Sequence, residues 1–191
     1  MKQLNILTAS FLALLLFTFS QCKKNKTINP VDELPPETQT GANTFGCLLN
    51  GQLFIPEGGG LSGPSLSCIY QLLLSGTPSG YTFALSATNK KDVSSITTIG
   101  FGFDSVKISI GLYNLTHRVN GSGAGVVNLY TNTSPNGDLY STNTMFQGQL
   151  NLKKFDTVNQ IASGTFWFDA TNSQGKKVEV REGRFDVRYT Q

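Results

Sequence analysis

Histidine occurs once in the 191 residues, as His117, and Asp, Glu, Lys and Arg together make up only 14% of the chain. Each scarcity excludes a class of chemistry. A single imidazole rules out a metal centre built from several histidines, and a Ser-His-Asp triad would rest on His117 alone. That residue lies in Asn114-Leu115-Thr116-His117-Arg118-Val119-Asn120, a strand end or loop with no serine in a nucleophile-elbow setting beside it. The formal net charge of +3 comes without the clustered Lys and Arg that a nucleic-acid surface needs. Asp92, Asp104, Asp138, Asp156, Asp169 and Glu179 are scattered, so no pair stands out as the two carboxyl groups of a glycoside hydrolase. Gly121-Ser122-Gly123-Ala124-Gly125 lacks the helix and lysine of a phosphate loop, since the strand-like Val126-Val127-Asn128-Leu129-Tyr130 follows it. The expectation is a chain without cofactor, metal or catalytic centre.

The one long apolar run is N-terminal. Lys2 supplies a positive start and Leu4 to Phe19 an apolar stretch, in the order of an export signal. The run is short for a membrane-spanning helix, which takes about 20 residues. Cys22 follows directly, then Lys23-Lys24. Ser20-Gln21-Cys22-Lys23-Lys24 resembles the lipobox of bacterial lipoproteins, with Gln21 where Gly, Ala or Ser is typical. The resemblance implies that residues 1–21 are removed and that Cys22 becomes a lipidated N-terminus. One acyl chain holds a protein only marginally, so stable anchoring takes two or three, such as palmitate. The acidic pair Asp32-Glu33 stands too far from Cys22 to resemble a surface-export signal, so the expected address is the periplasmic face of the outer membrane.

What remains is rich in Gly, Ser, Thr, Asn and aromatics, the profile of an exported β-domain. Residues 22–43 carry Pro30, Pro35 and Pro36 without apolar periodicity, and read as a lipidated Cys plus flexible spacer. The domain is expected over residues 44–191. With Cys22 claimed by lipid, Cys47 and Cys68 form an even remainder. In an oxidising compartment they suggest a disulfide worth roughly 3 kcal/mol, and two buried thiols are the alternative.

Asn50-Gly51 between Phe45-Gly46-Cys47-Leu48-Leu49 and Gln52-Leu53-Phe54-Ile55 marks a hairpin with a type I′ turn. Leu66 to Leu74 fits both a helical stripe and strand alternation, and the strand is preferred because its pattern is longer. Further strands are expected at Tyr81–Ala87, Ile96–Phe103, Val106–Tyr113, Val126–Tyr130, Phe146–Leu152, Gly164–Ala170 and Val178–Tyr189. Turn residues cluster between them, as in Thr133-Ser134-Pro135-Asn136-Gly137. Short strands at this spacing predict an all-β, single-domain antiparallel β-sandwich or partly closed barrel. In the last strand Val178 and Val180 share one parity while Phe185, Val187 and Tyr189 share the other. A strand changes faces only by inserting a residue, so a β-bulge is expected at Glu182-Gly183, with a tight Glu-Gly hairpin as the alternative.

Three strings carry a wider resemblance. Glu33-Leu34-Pro35-Pro36-Glu37-Thr38-Gln39-Thr40-Gly41-Ala42-Asn43-Thr44-Phe45-Gly46-Cys47-Leu48-Leu49-Asn50-Gly51 is similar to the opening of a family of Bacteroidota outer-membrane lipoproteins of unknown function. Ser163-Gly164-Thr165-Phe166-Trp167-Phe168 and Val178-Glu179-Val180-Arg181-Glu182-Gly183-Arg184-Phe185-Asp186-Val187 resemble its close. The resemblance implies an all-β lipoprotein and carries no catalytic residue. Asp104-Ser105-Val106 and Asp156-Thr157-Val158 are similar to an O-glycosylation pattern of the same bacterial group.

Trp167 is the candidate ligand contact. If Phe166, Phe168 and Ala170 face the core, alternation turns Trp167 outward with Thr165 and Asp169, where it could stack on a sugar or anchor a partner. The alternative is a tryptophan covered by a neighbouring segment. Asn132 to Asp138 is oxygen-rich but lacks the spacing of a calcium loop, and a plain turn is expected there. The sequence thus reads as a lipid-anchored, non-catalytic envelope module with the membrane and an envelope protein or glycan as partners. A calycin-like carrier of a small apolar ligand and an envelope hydrolase are the alternatives.

Overall fold

Alternation of inward aromatic and outward polar residues runs through almost every segment of the chain, and antiparallel pairing joins the strands it predicts. The computed structural model describes residues 29–59, 63–73, 80–119 and 121–191. The signal segment and Cys22 lie outside them. Among the described residues, eleven strands follow a 3-10 turn at Pro30–Glu33: β1 (Thr44–Leu49), β2 (Gln52–Phe54), β3 (Leu66–Leu73), β4 (Gly80–Asn89), β5 (Ser95–Asp104), β6 (Gly111–Leu115), β7 (Gly123–Thr131), β8 (Ser134–Ser141), β9 (Gly148–Asp156), β10 (Ile161–Thr171) and β11 (Lys177–Arg188).

Their order is β2-β1-β11-β10-β9-β6-β7-β5-β4-β3, with β8 beside β7 and touching β10. Between the strands all pairings are antiparallel except the contact of Leu115 in β6 with Gly123 in β7, and outside them two isolated parallel bridges join Glu57 to Asn89 and Ile69 to Thr190. The β6–β7 contact joins two layers. Just beyond β11, Thr190 donates its N–H to the Cys68 carbonyl at 3.0 Å and accepts the Tyr70 N–H at 2.8 Å. β1 and β3 therefore take successive stretches of one edge of β11, and the sheet becomes a partly closed ring. The expected sandwich or partly closed barrel is what the chain forms.

The two layers meet through aromatic rings. Phe101 of β5 lies 5.1 Å from Phe166 of β10 and 5.5 Å from Phe185 of β11, between ring centroids. Tyr70 of β3 meets Phe155 of β9 at 5.0 Å and Tyr189 at 5.9 Å. Such pairs add about 0.5–1.5 kcal/mol each beyond area burial. The rings need room, and glycine supplies it. A Cβ on Gly125 would meet the Phe168 ring at 2.7 Å, and one on Gly183 would meet Phe166 at 2.6 Å.

The β1–β2 turn has Asn50 at φ 51° and Gly51 at φ 78°, the two positive values a type I′ turn requires. β11 carries the expected bulge. Phe166 and Phe168 of β10 pair with Gly183 and Val180, so three steps on β11 face two on its neighbour, and β1 shows the same slip. Glu182 takes the left-handed conformation at φ 53°. The extra residue lets Val178 and Val180, then Phe185, Val187 and Tyr189, all point inward.

Three expectations need correction. Cys47 and Cys68 are both buried and both free, so no disulfide joins them, and burial pushes both thiols well above their ordinary pKa. Each fills a small apolar site in the shared core instead. Residues 134–138, expected as a turn, open β8, with the turn confined to Asn132-Thr133. Pro135 is tolerated there because β8 has a continuous partner only in β7. The strand expected at Val106–Tyr113 begins only at Gly111.

The N-terminal segment is the largest surprise. Residues 34–43, expected as the end of the spacer, lie on the domain. Leu34 is buried. Asp186, fully buried on β11, accepts hydrogen bonds from Thr38 Oγ1 (2.6 Å), Thr40 N (2.9 Å), Thr40 Oγ1 (3.2 Å), Gly41 N (2.8 Å) and Ala42 N (3.2 Å). Arg188 N–H donates to Asn43 Oδ1 at 2.9 Å. The opening string of the sequence resemblance and its Val178–Val187 string are thus one structural unit, a carboxylate clamp on a strap.

Candidate functional site: the outer face of β9, β10 and β11

Phe166, Phe168 and Ala170 are buried, so the pleat turns Thr165, Trp167 and Asp169 of β10 to the outer face, as the sequence predicts. Trp167 keeps 44% of its surface exposed. On β9 the same rule buries Leu150 and Leu152 and turns Gln149 and Asn151 outward. Register places Gln149 opposite Trp167 and Asn151 opposite Thr165. β6 extends the rows, with Asn114 opposite Gln149 and Leu112 opposite Asn151. On the other side Arg184 of β11 lies opposite Thr165.

Gln149, Asn151, Thr165, Trp167 and Arg184 line an open depression of about 500 Å³, rimmed by Glu37 of the strap and by Glu182 at the bulge, and Leu112 and Asn114 of β6 continue the face beside it. The bulge therefore shapes the site, because it re-aims Arg181 and Glu182 beside the indole. The Arg181 guanidinium sits 5.6 Å from the Trp167 ring centroid, which holds the ring in place. Arg181 also bonds Asp169 at 2.6 Å and the Phe168 carbonyl at 3.1 Å. Burial works against the Asp169 charge, but Arg181 and Lys177 outweigh it and hold the carboxyl below its ordinary pKa. Lys153 pairs with Glu37, and Arg184 with Glu182 at 3.9 Å. Among the described residues, the side chains of Gln149, Asn151 and Thr165 and the indole N–H have no hydrogen-bond partner.

The other candidates lie apart. His117 is exposed, and its carbonyl accepts the Ser122 hydroxyl. Asp104 is held below its ordinary pKa by Arg118, which bonds it through Nε at 2.7 Å and Nη2 at 3.0 Å. Asp92 and Asp156 cap their own turns through Ser94 and through Val158 and Asn159. Asp138 accepts from Ser134, and Glu179 from Lys177. Thr157 is exposed in the Asp156 turn, while Ser105 follows β5 at φ 59°. Gly123–Gly125 of the glycine-rich string begin β7 and are buried.

Gln149, Asn151, Arg181, Arg184 and Glu37 are site residues that sequence reasoning missed. The outward parity of Gln149 and Asn151 is visible beside Leu150 and Leu152. Their place next to Trp167 depends on which strands pair.

Fold and site together define a single-domain antiparallel β-protein whose outer sheet face is polar and centred on one tryptophan. The chain belongs to the family described as Domain of unknown function (DUF6252), which matches residues 78–187, taking in β4 and nearly all of β11. Neither a curated protein nor a solved structure matches it.

Proposed function

We propose that this protein is a lipid-anchored, non-catalytic binding module of the cell envelope, tethered to the outer membrane through Cys22 on its periplasmic face. Trp167 carries the binding half of the reading. It is a large aromatic left half-exposed on a sheet face, steadied by Arg181 and flanked by polar groups that have no partner among the described residues. Solvent exposure of a tryptophan costs hydrophobic free energy, and a ligand or partner recovers it. The export pattern, Cys22 and the likeness to Bacteroidota lipoproteins support the tether.

The two alternatives fare less well. A calycin-like carrier needs a hollow interior, whereas Phe101, Phe166, Phe185, Phe155 and Tyr189 pack ring on ring there. A hydrolase needs convergent carboxyl groups, and Asp104, Asp156 and Asp169 each serve a separate structural contact.

The test of the tether is mass spectrometry of the N-terminus from membrane fractions, beside a Cys22→Ala variant. Diacyl or triacyl Cys22 is expected, with the variant released from the membrane. An unmodified Cys22, or cleavage elsewhere, overturns the anchor. The binding half is tested by oxidative footprinting of Trp167 with and without solubilised envelope, where protection is the expected outcome.

A further inference from the structure

Building on that binding reading, we infer that the ligand of the Trp167 face is an uncharged glycan, laid across β6, β9 and β10 with one sugar ring on the indole. Three observations converge on this chemistry.

The face is electrically self-contained. Lys153 is paired with Glu37, Arg181 with Asp169, and Arg184 with Glu182. Each cation that borders the depression has a carboxylate beside it, so little field remains for a polyanion, which selects unpaired Lys and Arg. An uncharged ligand complements such a face.

The free polar groups are of the kind that sugars use. Gln149, Asn151 and Asn114 each present a carbonyl oxygen and two N–H donors, and Thr165 a hydroxyl. Sugar hydroxyls donate and accept together, which matches planar amides. Trp167, Gln149 and Asn114 form one row across three strands, and Thr165, Asn151 and Leu112 the next. With neighbouring strands about 4.8 Å apart, each row spans roughly 10 Å and can meet consecutive sugars.

The aromatic platform is already in place. Arg181 fixes the indole, and Trp167 with Leu112 provides the large apolar surface exposed along these rows. A protein interface of ordinary affinity needs a broader apolar centre of several anchors. One ring amid amides suits the apolar face of a pyranose.

Trp167 is the only tryptophan in the chain, so emission excited at the red edge, where the six tyrosines do not absorb, reports this face alone. The experiment titrates the mature, lipid-free protein with neutral hexasaccharides built from glucose, mannose or N-acetylglucosamine, and with polygalacturonate. A saturable emission shift with at least one neutral hexasaccharide is expected, insensitive to salt. Gln149→Ala and Asn151→Ala retain the fluorophore, and each is expected to weaken that binding by up to about tenfold. Trp167→Ala, followed by calorimetry, abolishes it. A response to polygalacturonate alone, or to no saccharide, overturns the glycan assignment. If solubilised envelope protein still protects Trp167 from oxidation, the binding module survives with a protein partner. If nothing protects it, both readings fall.

Discussion

Gly41 donates its backbone N–H to Asp186 Oδ1 at 2.8 Å, across 145 positions of sequence. This bond and its four neighbours make the strap part of the domain. The segment before β1 therefore meets the fold from Leu34 onward, and its Glu37 borders the Trp167 face.

Replacing Asp186 by Asn keeps the shape but swaps an acceptor oxygen for an amide that cannot accept from Thr38, Thr40 and Ala42. Buried donors lose their partner, and stability should fall by about 2 kcal/mol. Urea unfolding measures the loss, and hydrogen exchange should show fast amides at Thr40, Gly41 and Ala42 only in the variant. Equal protection in both proteins would mean that the strap is held by other contacts.

Acid should release the same clamp. Burial alone would raise the Asp186 pKa, but the donors from Thr38, Thr40, Gly41 and Ala42 outweigh it and hold the carboxyl below the ordinary range. The unfolded chain, with a carboxyl near pKa 3.9, thus takes up the proton first as pH falls. The contribution is full above about pH 5 and lost as pH drops through the folded-state pKa. Stability measured from pH 7 to pH 3 should decline more steeply for the wild type than for Asp186→Asn.

The bulge offers a contrast within two residues. Glu182 holds φ 53°, a conformation that costs a side-chain-bearing residue about 1 kcal/mol or more. Glu182→Gly should raise the unfolding free energy by about 0.5–1 kcal/mol, net of the freedom glycine adds to the unfolded chain. Gly183→Ala should lower it by about 2 kcal/mol, because the new methyl meets the Phe166 ring. Opposite signs in one denaturation series are the diagnostic result.

Gly125 lies under Phe168, with no room for a Cβ. Gly125→Ala should cost about 1–3 kcal/mol by displacing the ring. The double variant Gly125→Ala/Phe168→Leu should recover part of the loss, and simple additivity of the two would argue against the contact.

Free thiols make a simple redox prediction. Cys47 and Cys68 are buried, with pKa values raised by desolvation. A thiol reagent should label neither in the native protein and both in urea, and dithiothreitol should leave the melting temperature unchanged. A lower melting temperature on reduction would restore the disulfide.

Local patterns were legible in full where the physics is local. Asn50-Gly51 specifies its turn because only certain residues accept two positive φ values, and the parity change across Arg181-Glu182-Gly183 announces the bulge because a regular strand alternates its side chains and only an inserted residue resets them. Trp167 could be assigned outward for the same reason. The edge strand β8 was hidden because Ser-Pro-Asn-Gly is turn chemistry, and an edge tolerates it only when pairing on one side suffices. Cys47 and Cys68 misled because counting thiols says nothing about where Cα atoms lie.

By itself, the sequence determined the all-β class, the Asn50-Gly51 turn, the bulge in β11 and the outward position of Trp167. All of these follow from backbone sterics and a period of two. Tertiary structure alone decided that β9 lies beside β10, so that Gln149 and Asn151 join Trp167. It also decided that Thr190 closes the ring on β3, and that Asp186 reaches back to bind the strap. Those are pairings between residues far apart in the chain, selected by which faces bury the most aromatic surface together, and no local pattern encodes them.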